Sequence, residues 1–175
     1  MSNRTLCFLM RGNPPTEVLL GLKKTGFGAG KYAGFGGKVE SGETIEAAAI
    51  RELEEETGIK ISTDDLCPLG RLTFLFPSKP NWSQVVHVFT TNVWAGNPEE
   101  SDEMKPVWCR MDEIPFENMW DDASYWLPLV LKGKKIEARF IYKDDNETVG
   151  EAEIEEWGGN ELPKTRAGTF FPPQV

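Results

Sequence analysis

With 175 residues, 39% of them hydrophobic and 27% charged, the chain has the length and composition of one compact globular domain with its own core. Apolar runs of about eighteen residues are missing and the apolar stretch near the start is short, which argues against a membrane span and a signal peptide and favours the cytoplasm. The net charge of −9 argues against a nucleic-acid polymer or an anionic membrane as partner. A small phosphate substrate is compatible with that charge if a divalent cation bridges the like charges. The sequence identifies no protein partner.

The first half of the chain predicts a hairpin, a glycine-rich loop and a helix. Residues 5–10 and 17–22 read as strands joined by turn-forming residues. The glycine-rich stretch that follows, 26–37, is a candidate phosphate-binding loop. A helix is predicted over 45–57, with Thr44 as its N-cap and Gly58 at its end.

The second half predicts more strands than helices. Strands are expected at 71–76, 85–93 and 106–111, and a final hairpin at 136–142 and 148–156. Asp122 is expected to cap a second helix that reaches towards residue 132, with a kink at Pro128. These elements predict an α/β sandwich with a mixed sheet, as one domain over 1–157. Residues 158–175, where the pattern ends in glycine and proline, are expected to form a flexible tail.

Three glutamates of the predicted helix share a face with its apolar residues. At about 100° per residue, Glu52, Glu55 and Glu56 continue the apolar stripe, whereas Glu54 lies well away from it. Most glutamate runs form a solvated charged face, but carboxylates that converge beside a packed surface repel one another unless a positive group lies between them. Oxygen ligands at positions i, i+3 and i+4 suit Mg²⁺ or Mn²⁺.

The stretch from Gly37 to Ile59 resembles the signature of the Nudix hydrolases. Gly37, Glu43 and the run Arg51-Glu52-Leu53-Glu54-Glu55-Glu56-Thr57-Gly58-Ile59 match G-x5-E-x7-R-E-U-x-E-E-x-G-U at every defined position. The resemblance implies the Nudix α/β/α sandwich. It also implies attack by water on a phosphorus of a diphosphate linkage, assisted by a metal ion.

The resemblance also implies a metal site. Glu52, Glu55 and Glu56 would be ligands, and the main-chain carbonyl of Gly36 or Gly37 would complete the metal shell. The expected cofactor is Mg²⁺, with Mn²⁺ as a substitute.

Two further roles near the metal follow from the same resemblance. Arg51 and Glu43 would form a buried pair that orients the helix. Glu103, from the acidic loop 99–103, would be an additional ligand or the base that activates water. Without the resemblance, a solvated carboxylate would be the ordinary interpretation of Glu103.

Outside the signature, the resemblance is carried by segments such as Gly26-Phe27-Gly28-Ala29-Gly30, Glu100-Ser101-Asp102-Glu103-Met104 and Ser124-Tyr125-Trp126. In these segments the chain resembles the MutT-like Nudix hydrolases of oxidised purine nucleoside triphosphates, which release a monophosphate and pyrophosphate. By this resemblance Lys23 would face the phosphates, and Asp122 would hydrogen-bond the base. Phe27, Phe74 and Trp120 would wall the base pocket, although from the residues alone the two phenylalanines are equally compatible with the core.

Two positions depart from that pattern. Ala33 stands where those relatives have an asparagine that reads the purine, and Asp122-Ala123 stands where they have two neighbouring aspartates. Loss of a polar reader changes the preference between bases without affecting the phosphate chemistry. The resemblance nevertheless makes oxidised purines such as 8-oxo-dGTP or 2-oxo-dATP the leading substrates, whereas Ala33 and Ala123 favour another nucleotide. A Nudix hydrolase of another nucleotide and a non-catalytic nucleotide sensor are the alternatives.

Overall fold

The computed structural model describes residues 1–157, so the tail predicted over 158–175 lies outside the described residues. Two α-helices, α1 (Ile45–Thr57) and α2 (Ala123–Leu131), lie among eight strands in this part of the chain. The strands are β1 (Ser2–Arg11), β2 (Glu17–Lys23), β3 (Tyr32–Ala33), β4 (Cys67–Leu75), β5 (Gln84–Thr91), β6 (Met104–Arg110), β7 (Lys135–Tyr142) and β8 (Val149–Trp157).

All eight strands join one mixed sheet. Its order is β3-β2-β1-β5-β4-β7-β8, and β6 pairs with β2 outside this path. The β1–β5 and β4–β7 pairs are parallel, and the other pairs are antiparallel. The predicted mixed sheet is thus confirmed. Neither of the helices described over residues 1–157 is long and apolar enough to cross a membrane.

The sheet carries a hydrophobic core on each face, because side chains alternate along its strands. On β1, Phe8 belongs to the cluster that contains Trp126 of α2. Its neighbour Leu9 belongs to the opposite cluster, which contains Leu53 of α1. One helix therefore packs on each face, which confirms the predicted sandwich.

Helix α1 begins and ends where the sequence predicts. The Thr44 hydroxyl oxygen accepts a hydrogen bond from the N–H of Ala47 at 3.1 Å, which satisfies a free donor of the first turn. Gly58 ends the helix at φ = 76°, a left-handed conformation that favours glycine. Both ends are fixed by local chemistry, so the positions of the glutamates around the helix are fixed as well.

Two expectations differ from the structure. Strand β3 was not predicted: Tyr32 and Ala33 pair with Leu22 and Gly21 inside the glycine-rich stretch, where composition favours a loop. Asp122 occupies the predicted N-cap position of α2, but its carboxylate makes no capping hydrogen bond and instead accepts hydrogen bonds from two buried side chains. Helix α2 runs through Pro128 to Leu131, close to its predicted end.

Candidate active site

A pocket lies between the glycine-rich stretch, β1, the ends of β4 and β7, and the start of α2. It brings together nine of the residues that the sequence predicted for a site: Lys23, Phe27, Ala33, Gly36, Gly37, Glu56, Phe74, Trp120 and Asp122. All six predicted substrate residues thus line one cavity with the most buried of the glutamates.

Glu56 is the buried carboxylate of this pocket. Only 5% of the residue is exposed, and its Oε1 accepts a hydrogen bond from the main-chain N–H of Gly36 at 2.7 Å. The pKa of Glu56 is raised to about 8, mainly by burial and also by the charges of Glu52 and Glu103, while the Gly36 hydrogen bond and the charge of Lys23 oppose the rise. Carboxylates of α1 and of the loop before β6 therefore act on one another here, which favours a cation between them.

The two glycines before α1 allow unusually close approaches. A Cβ on Gly37 would lie 2.4–2.6 Å from the carboxylate atoms of Glu52. A Cβ on Gly36 would lie 1.7 Å from the carbonyl oxygen of Thr5. The absence of side chains lets the main chain approach both β1 and the helix glutamates.

Arg51 connects the acidic side chains around α1. Its Nε and Nη2 donate to the two oxygens of Glu43 at 2.6 and 3.0 Å, and its Nη1 donates to Glu52 at 2.9 Å and Glu55 at 3.3 Å. The hydrogen bonds from Arg51 hold the pKa of Glu43 at about 2, and the pairing raises the pKa of Arg51. The predicted pair is present but only partly buried, with 26% and 15% of the two side chains exposed.

The carboxylates as they stand do not form a finished coordination set. Within residues 1–157, no three His, Cys, Asp or Glu side chains are grouped closely enough to hold a metal ion. Arg51 draws oxygens of Glu52 and Glu55 towards itself, and 60% of the Glu55 side chain is exposed. The donor chemistry nevertheless fits a divalent cation, since carboxylate oxygens are its preferred ligands and the charges of Glu52 and Glu103 act on Glu56.

Aromatic rings form the other end of the pocket. Phe27 stacks on Trp120 with ring centroids 5.0 Å apart, and Trp82 meets Phe27 edge-on at 4.8 Å. The Nζ of Lys31 lies 5.2 Å from the Trp120 ring centroid. Phe27 therefore covers one face of the Trp120 ring. The contribution of Trp82 was not predicted, because it comes from the loop between β4 and β5.

Phe74 lies at the boundary between the core and the pocket. It is 7% exposed and stacks on Phe140 at 5.5 Å as part of the core on the α2 side. It also lines the pocket.

Asp122 forms a buried polar cluster with two aromatic side chains. Its Oδ1 accepts a hydrogen bond from the Tyr142 hydroxyl at 2.5 Å, and its Oδ2 accepts one from the Trp126 Nε1–H at 2.7 Å. Burial raises the pKa of Asp122, and these two hydrogen bonds oppose the rise. Tyr142 was not singled out by the sequence, although it shares the buried face of β7 with Ala138 and Phe140.

Two more pocket residues have no signal in the sequence. Arg4 and Thr5 line the pocket, and the Arg4 Nε and Thr5 Oγ1 atoms are buried without a hydrogen-bond partner among the described residues. Buried polar atoms are usually paired, so these two atoms are exceptions.

Comparisons with known proteins agree with this geometry. A family model described as the NUDIX domain matches residues 3–130. A Mus musculus protein named "Oxidized purine nucleoside triphosphate hydrolase" is 47% identical over 146 residues, which cover 83% of this chain and 92% of the mouse protein. A Danio rerio protein of the same name is 48% identical over 129 residues, covering 74% and 81% of the two chains. A crystal structure of a MutT protein from Bacillus halodurans superposes with a TM-score of 0.74 over 89% of this chain and 98% of its own, at 24% identity, which shows the fold alone.

Proposed function

This chain belongs to the Nudix family, and from that premise we propose that it hydrolyses oxidised purine nucleoside triphosphates to the monophosphate and pyrophosphate. The names of the mouse and zebrafish relatives support this substrate class. The observation that carries the proposal is that a buried glutamate, Glu56, and an aromatic wall with a buried carboxylate line the same pocket. Such a pocket receives the phosphates at one end and a purine at the other.

Nudix hydrolases in general use divalent metal ions, and here we assign Mg²⁺, with Mn²⁺ as a substitute. Glu52, Glu56 and Glu103 would hold it, because the charges of Glu52 and Glu103 act on each other and on Glu56, which lines the pocket. Glu55 would join them from the exposed side of α1. The Gly36 carbonyl is preferred to that of Gly37, whose oxygen already accepts a hydrogen bond from Thr5 at 2.9 Å. The bound ion would polarise the phosphate and spread the charge of the leaving group.

The surrounding side chains orient these ligands and neutralise the phosphates. The Gly36 N–H fixes the Glu56 carboxylate in one orientation. Arg51 is a positioning residue, because its guanidinium group donates hydrogen bonds to Glu43 and to Glu52 at the same time. Lys23, whose charge acts on Glu56, supplies the positive charge that phosphate oxygens require.

The aromatic end binds the base. Trp120 offers a stacking surface, Phe74 closes the wall, and Asp122 supplies a polar group. Ala33 lines the same pocket without a polar side-chain atom, so recognition of the base depends more on hydrogen bonds to Asp122. We assign the whole activity to residues 1–157, which contain every one of these groups.

A substrate panel tests the proposal. The protein is incubated with Mg²⁺ and with normal and oxidised purine nucleoside triphosphates, and the products are resolved by chromatography. We expect selective conversion of oxidised purines to monophosphate and pyrophosphate. Slow and unselective hydrolysis would contradict the substrate assignment and favour a Nudix hydrolase of another nucleotide. Binding of nucleotides without turnover would contradict the enzyme and favour a sensor.

A further inference from the structure

The side chain of Asp122 is held from both sides by the protein. The Tyr142 hydroxyl donates to one carboxylate oxygen and the Trp126 indole N–H donates to the other. Asp122 is 6% exposed, Trp126 and Tyr142 are each 3% exposed, and all three line the pocket. The carboxylate therefore cannot turn without breaking two buried hydrogen bonds.

This arrangement decides what Asp122 offers a ligand. An indole N–H is a donor only, and the Tyr142 hydroxyl uses its proton on Asp122. With a donor bound to each oxygen, the lone pairs that remain on the carboxylate accept hydrogen bonds. Neither Ala123, its neighbour in the chain, nor Ala33 adds a polar side-chain atom to the pocket.

Resting on the proposed function, we propose that Tyr142 is a positioning residue for base selection. Its hydroxyl holds Asp122 as a fixed hydrogen-bond acceptor, so that the pocket selects purines that present N–H donors. The Watson–Crick edge of guanine presents two neighbouring donors, the N1–H and the 2-amino group. Adenine presents its 6-amino group beside N1, whose lone pair repels an acceptor.

The hydroxyl group of Tyr142 can be removed by substitution without losing the contacts of its ring. The ring stacks on Phe76 at 4.5 Å and meets Trp120 edge-on at 6.0 Å, and a phenylalanine retains both contacts. Tyr142→Phe would leave one oxygen of Asp122 without its buried donor. The carboxyl group is then free to turn or to bind a proton, and a protonated carboxyl donates to adenine N1.

Binding of two reaction products isolates this effect from catalysis. The ligands 8-oxo-dGMP and 8-oxo-dAMP share the oxidised C8 position, sugar and phosphate, and differ in the Watson–Crick edge. Their Kd values are measured by calorimetry for the full chain and for Tyr142→Phe. We expect the wild type to prefer 8-oxo-dGMP, and Tyr142→Phe to reduce that preference about tenfold.

Tyr125→Phe is the matched control. The Tyr125 ring meets Phe140 edge-on at 5.8 Å, and the residue is not among those that line the pocket. We expect this variant to keep the wild-type ratio. Thermal melting in the same buffer checks that each variant folds. Should Tyr142→Phe fail to fold, Asp122→Asn tests the same point, because it replaces an acceptor oxygen with a donor and is expected to reduce the ratio as well.

The possible outcomes separate the inference from the function on which it rests. A wild type that prefers 8-oxo-dGMP, with the same ratio in folded Tyr142→Phe, overturns the inference alone. An equal loss of affinity for both ligands also overturns it, because a merely structural hydroxyl would act in that way. A wild type that binds neither ligand contradicts the inference and the proposed function together.

Discussion

The main-chain N–H of Gly36 donates to Oε1 of Glu56 at 2.7 Å, which joins the glycine-rich stretch to helix α1 at the pocket. A glycine at this position lies against the Thr5 carbonyl, so the contact requires residues that have no Cβ. The hydrogen bond orients the most buried carboxylate of the proposed metal site.

Alanine substitutions at the two neighbouring glycines are expected to have different effects, one on stability and the other on activity. Gly36→Ala would place a Cβ against main-chain atoms, and we expect a loss of about 3 kcal/mol in the free energy of unfolding. Gly37→Ala would meet only the end of the Glu52 side chain, which is able to move. We therefore expect Gly37→Ala to fold but to lose about tenfold or more in kcat/KM. Chemical denaturation and steady-state kinetics on both variants check this, and a fully active Gly37→Ala would refute the close approach to Glu52.

The pairing of Glu43 with Arg51 predicts a pH-dependent contribution to stability. The pKa of Glu43 is lowered to about 2 in the folded state, so the folded protein favours the charged carboxylate. Its stabilising effect is then present above the ordinary pKa of a glutamate and is lost as the pH falls towards 2. Unfolding free energies measured against pH should show wild type and Glu43→Gln furthest apart above about pH 5 and converging in acid. A gap that does not change with pH would contradict the ion pair.

The stacking surface predicts a change in substrate affinity without a change in chemistry. Trp120→Leu keeps an apolar side chain but removes the ring, and base stacking on an aromatic ring contributes about 1–3 kcal/mol. We expect KM to rise roughly tenfold to a hundredfold with little change in kcat. Trp108→Leu is the control, because Trp108 packs against Trp94 in the core on the α1 side, away from the pocket. Equal effects of the two substitutions would show that Trp120 contributes only to stability.

Replacement of Ala33 by asparagine is expected to increase the selectivity for an oxidised base. It lines the pocket on β3, and Ala33→Asn would add an amide that is able to donate to and accept from a base. We expect the ratio of kcat/KM for 8-oxo-dGTP over dGTP to rise about threefold to tenfold. An unaltered ratio in a folded variant would argue against the placement of the base beside Ala33.

The sequence predicts those helices and strands that are determined by residues within or next to them. The Thr44 cap, the Gly58 end and the periodicity between them define α1, and the predicted pairing of Arg51 with Glu43 follows from that helix. Most strands are found within a few residues of their predicted ends, because alternation and turn residues are local signals as well. Strand β3 has neither signal and depends on pairing with β2.

Contacts between distant elements were not predictable in the same way. Asp122 looks like a helix cap in the sequence, but Tyr142, twenty residues later, offers its carboxylate a buried donor. Trp82 reaches Phe27 from a short 3-10 helix between β4 and β5, and the buried, unpaired Nε of Arg4 is apparent only once the sheet surrounds it. Each of these contacts is decided by the packing of the whole sheet.

The most direct test of the central claim compares two glutamates of α1. Glu56→Gln removes the charge of the buried carboxylate, whereas Glu54→Gln removes an exposed one whose oxygen lies 3.9 Å from Lys60 Nζ. Turnover of 8-oxo-dGTP with Mg²⁺ is measured for both variants after melting curves confirm that they fold. We predict that Glu56→Gln loses turnover by about a hundredfold or more while Glu54→Gln retains the wild-type rate. Wild-type turnover by folded Glu56→Gln would contradict a catalytic metal site at this carboxylate.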